Sequence, residues 1–243
     1  MGSNNTTARG TASVTTLVAA IEQSMQRRRE KAEEAKRSPI ERQKVDEPFS
    51  GVRDQLGKRY APERVRLADF EIYHAAQEPA FRSLLDYESR LEDRVREGCG
   101  LVMYGAVGTG KDRLIAYLLY SAAMCGLRCC YAQGQDLFGA FRDRMDAGQK
   151  EEELIDRLHK PAVLAVSDPA PPAGELSAWR LELLYRIVDR RYRDLRPTWV
   201  TINAESPEDA EGRLGSQVWD RIQEGAAVIP CLWPSYRERR TKR

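Results

Sequence analysis

The sequence is poor in the residues that build metal and redox sites. Its 243 residues include two histidines, His74 and His159, and five cysteines with no Cys-x-x-Cys pair. That pattern argues against the usual zinc spacings. Cys99, Cys125, Cys129, Cys130 and Cys231, an odd number, read as reduced core thiols and not as a disulfide framework. Long apolar runs are also missing. No stretch approaches the ~18 residues of a membrane span, and residues 1–7 carry no basic-then-apolar leader pattern. The expectation is a cytoplasmic protein with no membrane partner. Charge of one sign is lacking too. The 39 Lys+Arg against 37 Asp+Glu leave a net +2, so any contact with nucleic acid must come from a local patch. What is present, 42% hydrophobic and 31% charged residues, suffices for a sizeable core in one α/β domain with a short extension.

Composition divides the chain into four stretches. Residues 1–13, rich in Ser, Thr, Asn and Gly, predict a disordered tail. Residues 14–37 predict a helix. Val14, Leu17, Val18, Ile21 and Met25 follow helical spacing, Thr15 or Thr16 can cap it, and Ser38-Pro39 ends it. The short stripe has no second element nearby to bury it. It reads as a face that docks on a partner, and equally as a solvated helix with i,i+4 ion pairs. Residues 38–60, with Pro39, Pro48, Gly51 and Gly57, read as a linker, and 61–243 as the folded domain. In that domain apolar segments at 101–104, 127–132, 162–166, 199–202 and 226–229 alternate with helical patterns at 79–97, 111–124, 135–147, 151–159, 175–194 and 207–224. The alternation predicts a three-layer α/β/α sandwich on a mainly parallel five-stranded sheet. Phe81, Leu84, Leu85, Tyr87, Leu91 and Val95 are the buried positions expected of the first helix.

The chemistry concentrates after the first strand. Gly105-Ala106-Val107-Gly108-Thr109-Gly110-Lys111 is a GxxxxGK run between a strand and a helix. Glycines let the backbone wrap closely with N–H groups inward, and the helix N-terminus adds partial positive charge. Lys111 is a mobile point charge suited to β- and γ-phosphates. With Asp112 and Arg113, residues 105–113 are the expected ATP-binding run. A P-loop normally continues with Ser or Thr, whose hydroxyl ligates Mg²⁺. Here the residue is Asp112, which can ligate Mg²⁺ directly or simply complement the helix dipole. The second acid of such a site ends a neighbouring strand, and Asp168 after 162–166 fills that role as a further Mg²⁺ residue. The next position, where additional-strand P-loop ATPases carry a water-polarising Glu, is Pro169, followed by Ala170-Pro171-Pro172. Glu175 is the nearest carboxylate in sequence.

From about Leu56 onward the chain resembles the DnaC/IstB family of AAA+ ATPases, most closely the DnaC-type bacterial helicase loaders. The residues that carry the resemblance are Gly108-Thr109-Gly110-Lys111-Asp112, Ile187-Val188-Asp189-Arg190-Arg191, Arg196-Pro197-Thr198 and Thr201-Ile202-Asn203. It continues through Leu214-Gly215, Val218-Trp219-Asp220-Arg221-Ile222 and Trp233-Pro234-Ser235-Tyr236-Arg237. Tyr60-Ala61-Pro62 and Leu67-Ala68-Asp69-Phe70-Glu71 resemble the family's segment near the adenine. The resemblance implies the P-loop AAA+ fold and an ATPase. It casts Asp168 as the Walker B acid, Asn203 as the polar sensor at the γ-phosphate, Arg221 as an arginine finger reaching a neighbouring subunit, and Arg237 as a second sensor. It also implies ATP-dependent self-association through Arg221, a replicative DNA helicase as partner and single-stranded DNA as ligand.

In loaders the region between the second strand and the Walker B strand contacts DNA. Here it holds Arg142, Arg144, Lys150 and Arg157 with Phe138 and Phe141 interleaved, a pattern for following phosphates and stacking bases. Neighbouring acids offset the charge, and the phenylalanines read more readily as core. Three functions fit: a helicase loader with slow hydrolysis, an IstB-like transposition helper binding duplex DNA, and a nucleotide-gated adaptor that does not hydrolyse. The missing Glu after Asp168 favours slow or absent turnover.

Overall fold

Five apolar segments line up as parallel strands. β1 (Leu101–Tyr104), β2 (Cys129–Gln133), β3 (Val163–Ser167), β4 (Thr198–Ile202) and β5 (Ala227–Pro230) lie in the order β2-β3-β4-β1-β5, every pairing parallel. This computed structural model describes residues 54–171 and 174–237, with Ala19, Gln23, Gln26, Glu30 and Val52 as further positions. Every residue of β1, β3 and β4 is buried, whereas the edge strands β2 and β5 are partly covered. Strands covered on both faces need no polar alternation, which is why they stand out as unbroken apolar runs.

Successive side chains still point to opposite faces, and the core divides accordingly. Leu101, Met103, Val163, Ala165, Trp199 and Ile229 pack with helices α1 (Gln77–Ser89), α2 (Leu91–Arg96) and α3 (Lys111–Met124). Val102, Tyr104, Leu164, Val166, Val200 and Ile202 pack on the other face. Their partners are α4 (Gly134–Asp146), α5 (Glu151–His159), α6 (Ala178–Arg193), α7 (Pro207–Leu214) and α8 (Ser216–Gln223). The result is the expected three-layer sandwich. Among the described residues no helix is long and apolar enough to cross a membrane. All five cysteines are free, and burial pushes the Cys129 and Cys231 thiols up to about 12.

Two boundaries differ from the sequence reading. The helix expected over 79–97 is two helices broken at Arg90, although all six expected positions are buried. The apolar stripe stays in phase across the break, so periodicity gives no sign of it. The helical pieces expected around 207–224 are α7 and α8, divided by Gly215 at φ 81°, where a Cβ would lie 2.7 Å from Leu181 Cδ1. The linker drawn to residue 60 ends earlier, because Val52 and Leu56 are buried in the core and Tyr131 N–H donates to Gln55 Oε1 at 2.7 Å. The expected tail 1–13, the Val14-to-Met25 stripe and residues 38–51 lie outside the described residues. Ala19, Gln23, Gln26 and Glu30 are helical and exposed, and Gln26 Nε2 donates to Glu30 Oε1 at 2.9 Å.

Arg191 fixes the lower ends of the central strands. It is fully buried and donates to the carbonyls of Leu158 (2.8 Å), Pro161 (3.0 Å), Ala162 (3.2 Å) and Pro197 (2.8 Å), and to Thr198 Oγ1 (3.3 Å). Burial lowers its pKa to about 9. One guanidinium thus satisfies the approaches to β3 and β4 and the end of α5. Orphaning a buried polar group costs about 1–3 kcal/mol. We therefore expect Arg191→Leu to lose at least ~3 kcal/mol in urea unfolding, since several groups are orphaned together. A loss below ~1 kcal/mol would show that water takes the place of the guanidinium.

Candidate nucleotide site

β1 runs straight into the P-loop, and α3 begins at Lys111. Three turns of this loop need glycine: Gly105 (φ 149°), Gly108 (φ 84°) and Gly110 (φ 96°). Their neighbours are specific. A Cβ on Gly105 would lie 2.2 Å from Cys231 O, and one on Gly108 2.1 Å from Ser235 Oγ. The segment following β5 therefore lies directly against the loop. Lys111 Nζ donates to Gly105 O (2.8 Å), Ala106 O (2.9 Å) and Asn203 Oδ1 (2.9 Å). Burial lowers the Lys111 pKa, opposed chiefly by the charge of Asp168.

The adjacent C-terminal ends of β3 and β4 deliver the partners. Asp168 N–H donates to Thr201 O at 2.9 Å, and Asn203 follows β4 into the same cleft. Asp168 adopts φ 44°, a left-handed conformation uncommon for a residue with a side chain. Burial, and then the charge of Asp112, raise its pKa; Lys111 and hydrogen bonds from Asn203 oppose them. Asp168 Oδ1 is buried without a hydrogen-bond partner.

Asp112 is held by two hydroxyls that the sequence reading did not single out. Ser167 Oγ donates to Asp112 Oδ1 at 2.6 Å, and Thr201 Oγ1 lies 3.1 Å from both Asp112 Oδ1 and Ser167 Oγ. The hydroxyl missing after Lys111 is thus matched by two at the ends of β3 and β4. Its absence from the P-loop is the signal that could have directed attention there. An orphaned carboxylate oxygen beside a second carboxylate is a hard, all-oxygen donor set, and it fits Mg²⁺. Among the described residues no group of three His, Cys, Asp or Glu side chains forms a metal site by itself. A cation here therefore needs phosphate oxygens as further ligands, which is how Mg²⁺ is commonly held.

The cleft measures about 530 Å³, and residues 107–113, Asp168, Asn203 and Arg237 line it. That volume lies in the ordinary range of small-molecule sites, about 300–1,000 Å³. Tyr60, Phe70 and Tyr73 add an aromatic wall, and the Arg113 guanidinium sits 4.5 Å over the Phe70 ring. Gly105 and Ala106 lie at the root of the loop and contribute the carbonyls that hold Lys111.

Other expected residues lie elsewhere. Arg221, on α8, does not line the cleft. Its Nε donates to Asp189 Oδ1 at 2.7 Å, and its guanidinium lies 5.0 Å from the Tyr185 ring centroid and 5.8 Å from that of Tyr192. Pro169 is buried against Gly134 and Glu175 is exposed; neither lines the cleft. Phe138 and Phe141 are buried in the core and cannot stack bases. Arg142 and Arg180 instead pack over the Trp179 and Phe138 rings, at 5.8 and 5.3 Å.

No protein-family model matches this sequence, and no curated protein matches it. Solved structures do. The DnaC helicase loader aligns over 71% of this chain and 99% of its own, with a TM-score of 0.61 and 26% identity. The chain has a DnaC-like AAA+ fold. A structure from Streptococcus pyogenes serotype M3, described as a putative primosome component, aligns over 70% of this chain and 88% of its own length, with a TM-score of 0.52 and 26% identity. The replication initiator DnaA, bound to AMPPCP and single-stranded DNA, shares the fold at a TM-score of 0.57 and 18% identity. It covers 72% of this chain and 50% of its own.

The raised Asp168 pKa gives a stability prediction with a definite sign. A carboxylate with a folded pKa above its unfolded value costs stability when ionised. The cost is absent below the ordinary value of ~3.9 and complete above the raised one. Asp168→Asn should therefore raise the Tm of the nucleotide-free protein at pH 7, by about 2–4 °C for each ~1 kcal/mol relieved. The gain should vanish as the pH falls toward 4. Scanning calorimetry at both pH values checks this, and a lower Tm at pH 7 would contradict the buried-charge account.

Proposed function

We propose that the chain binds Mg²⁺–ATP in this cleft and serves DNA replication as a DnaC-like helicase loader, with slow hydrolysis. The observation that carries the reading is the meeting of Lys111, Asn203 and Asp168 in one cleft at the P-loop, in a fold matching nearly the whole DnaC helicase loader. Lys111 would exchange its three protein acceptors for β- and γ-phosphate oxygens. Asn203, released from Lys111, would then face the γ-phosphate. Asp112 and Asp168 would hold Mg²⁺, with Ser167 and Thr201 fixing the Asp112 carboxylate. The ion, when bound, would supply charge neutralisation for the triphosphate. The aromatic wall would take the base.

No carboxylate stands where the water-polarising Glu belongs. Pro169 is buried, so a Glu placed there has no open path to the γ-phosphate. Two of the three acids lining the cleft, Asp112 and Asp168, are assigned to the metal; Glu71 is the third. Turnover below ~1 s⁻¹, the low end of ordinary enzymes, is expected. Arg221 lies outside its own cleft, as a residue acting on a neighbour's ATP must. The same Pro169 supports a second reading, an adaptor gated by ATP without hydrolysis; an IstB-like transposition helper remains the alternative in DNA metabolism.

Calorimetric titration with Mg²⁺–ATP should show at least about a tenfold loss, ~1.4 kcal/mol, in Lys111→Ala; equal affinity would sink the nucleotide site. Single-turnover hydrolysis separates loader from adaptor: a slow rate supports the first and a null rate the second. Pull-down of the full chain with the replicative helicase and with a transposase separates loader from transposition helper. Deletion of residues 1–45 should abolish helicase capture and leave ATP affinity unchanged.

A further inference from the structure

The segment after β5 holds the P-loop by its outer carbonyls. Cys231 N–H donates to Tyr104 O at 2.7 Å and so continues the β1–β5 ladder to the start of the loop. Two residues on, Trp233 Nε1–H donates to Thr109 O at 2.9 Å, a buried bond, and Tyr236 N–H donates to Gly108 O at 3.0 Å. Trp233 is buried in the core, and Tyr73 Oη donates to Pro234 O at 2.6 Å. The Tyr73 and Tyr236 rings lie 6.0 Å apart. The strap is therefore anchored at both ends and in the middle.

We propose that Trp233 and Tyr236 are positioning residues for the nucleotide, locking two P-loop peptide planes in their phosphate-binding orientation. The proposal rests on the nucleotide reading above. A trans peptide carries its C=O and the following N–H on opposite sides. Holding Gly108 O and Thr109 O against the strap therefore turns the Thr109 and Gly110 N–H groups the other way. Glycine at 105, 108 and 110 leaves this loop free to rotate those planes, and each rotation would break a strap bond. Two of the glycines also touch the strap where a Cβ would collide with it, so the loop's flexibility and its restraint arise from the same close approach. Preorganisation of this kind improves affinity by removing the ordering cost at binding. Coupling is reciprocal, so a bound nucleotide must tighten the strap by the same factor.

Amide hydrogen exchange of the full chain tests this. With Mg²⁺–ATP at saturation, the Tyr236 amide should exchange at least about fivefold more slowly than in the nucleotide-free chain. Binding seen by calorimetry without protection of Tyr236 overturns the strap's role alone. No binding at all to the wild-type chain overturns the nucleotide reading and the strap's role with it. Trp233→Phe, which keeps a ring in the core and removes the indole donor, should weaken Mg²⁺–ATP about fivefold or more. A Tm loss in that variant with unchanged affinity would make Trp233 merely structural and contradict the proposal.

Discussion

Everything in the cleft depends on how closely β5's continuation approaches the P-loop. Parallel pairing of β1 with β5 sets Tyr104 opposite Pro230, so the next residues, Gly105 and Cys231, leave the sheet side by side. There is no room between them for a Cβ: Cys231 O lies 2.2 Å from where one would be. The first P-loop glycine is thus required by the chain's own backbone, before any phosphate is considered. The loop can begin its turn only there, and that turn fixes where α3 starts, where Lys111 points and which end of the sheet becomes the cleft. Ligands of open α/β sheets lie beyond the carboxyl ends of the strands, and here the topology leaves β1 between β4 and β5 at that end.

The charges gathered at this end are out of balance in the protein alone. One buried lysine faces two carboxylates, and burial works against the charges of Lys111 and Asp168: it lowers the pKa of the first and raises that of the second. Lys111 spends its three hydrogens on two carbonyls and Asn203, Asp112 takes a serine hydroxyl with a threonine hydroxyl alongside, and Asp168 keeps one oxygen unsatisfied. Such a site is destabilised by design relative to an apolar core, and a cation with a polyanion relieves it. Arg191 is the contrast. It is equally buried and has no carboxylate, yet it is satisfied by carbonyls that would otherwise be orphaned, so it acts as a structural clasp.

The parts of this arrangement visible in the sequence were those set by short-range rules. The GxxxxGK run, the apolar runs of β1, β3 and β4 and the acid ending β3 follow from backbone geometry over a few residues, and each stands where expected. What was not visible depends on residues distant in sequence. Ser167 and Thr201 are ordinary strand-end hydroxyls until β3 and β4 pair and α3 brings Asp112 over them. Phe138 and Phe141, interleaved with arginines, read as core from the sequence, and α4 turns both into it. Residues 52–60 look like linker because charged residues and Gly57 dominate that stretch, although Val52, Leu56 and the Gln55 bond to Tyr131 seal the edge of the sheet.

The turn after β3 joins these themes. Asp168 adopts a left-handed φ, and the proline after it favours an extended conformation instead, so its backbone is opposed twice. It persists because its neighbours over-determine it. Its N–H donates to Thr201 O, and Pro169 packs so closely on α4 that a Cβ at Gly134 would come within 2.4 Å of Pro169 Cα. Strain of this kind typically costs about 1–3 kcal/mol and is tolerated where a side chain must be aimed. Here it aims the Asp168 carboxylate at Lys111 and Asn203, and it turns the following residue into the protein. The orientation that points Asp168 into the cleft is the same one that removes the next position from it. Pro169 fits that buried position as well as a glutamate would fit it poorly, so the loss of the water-polarising carboxylate and the strained acid are two consequences of one turn.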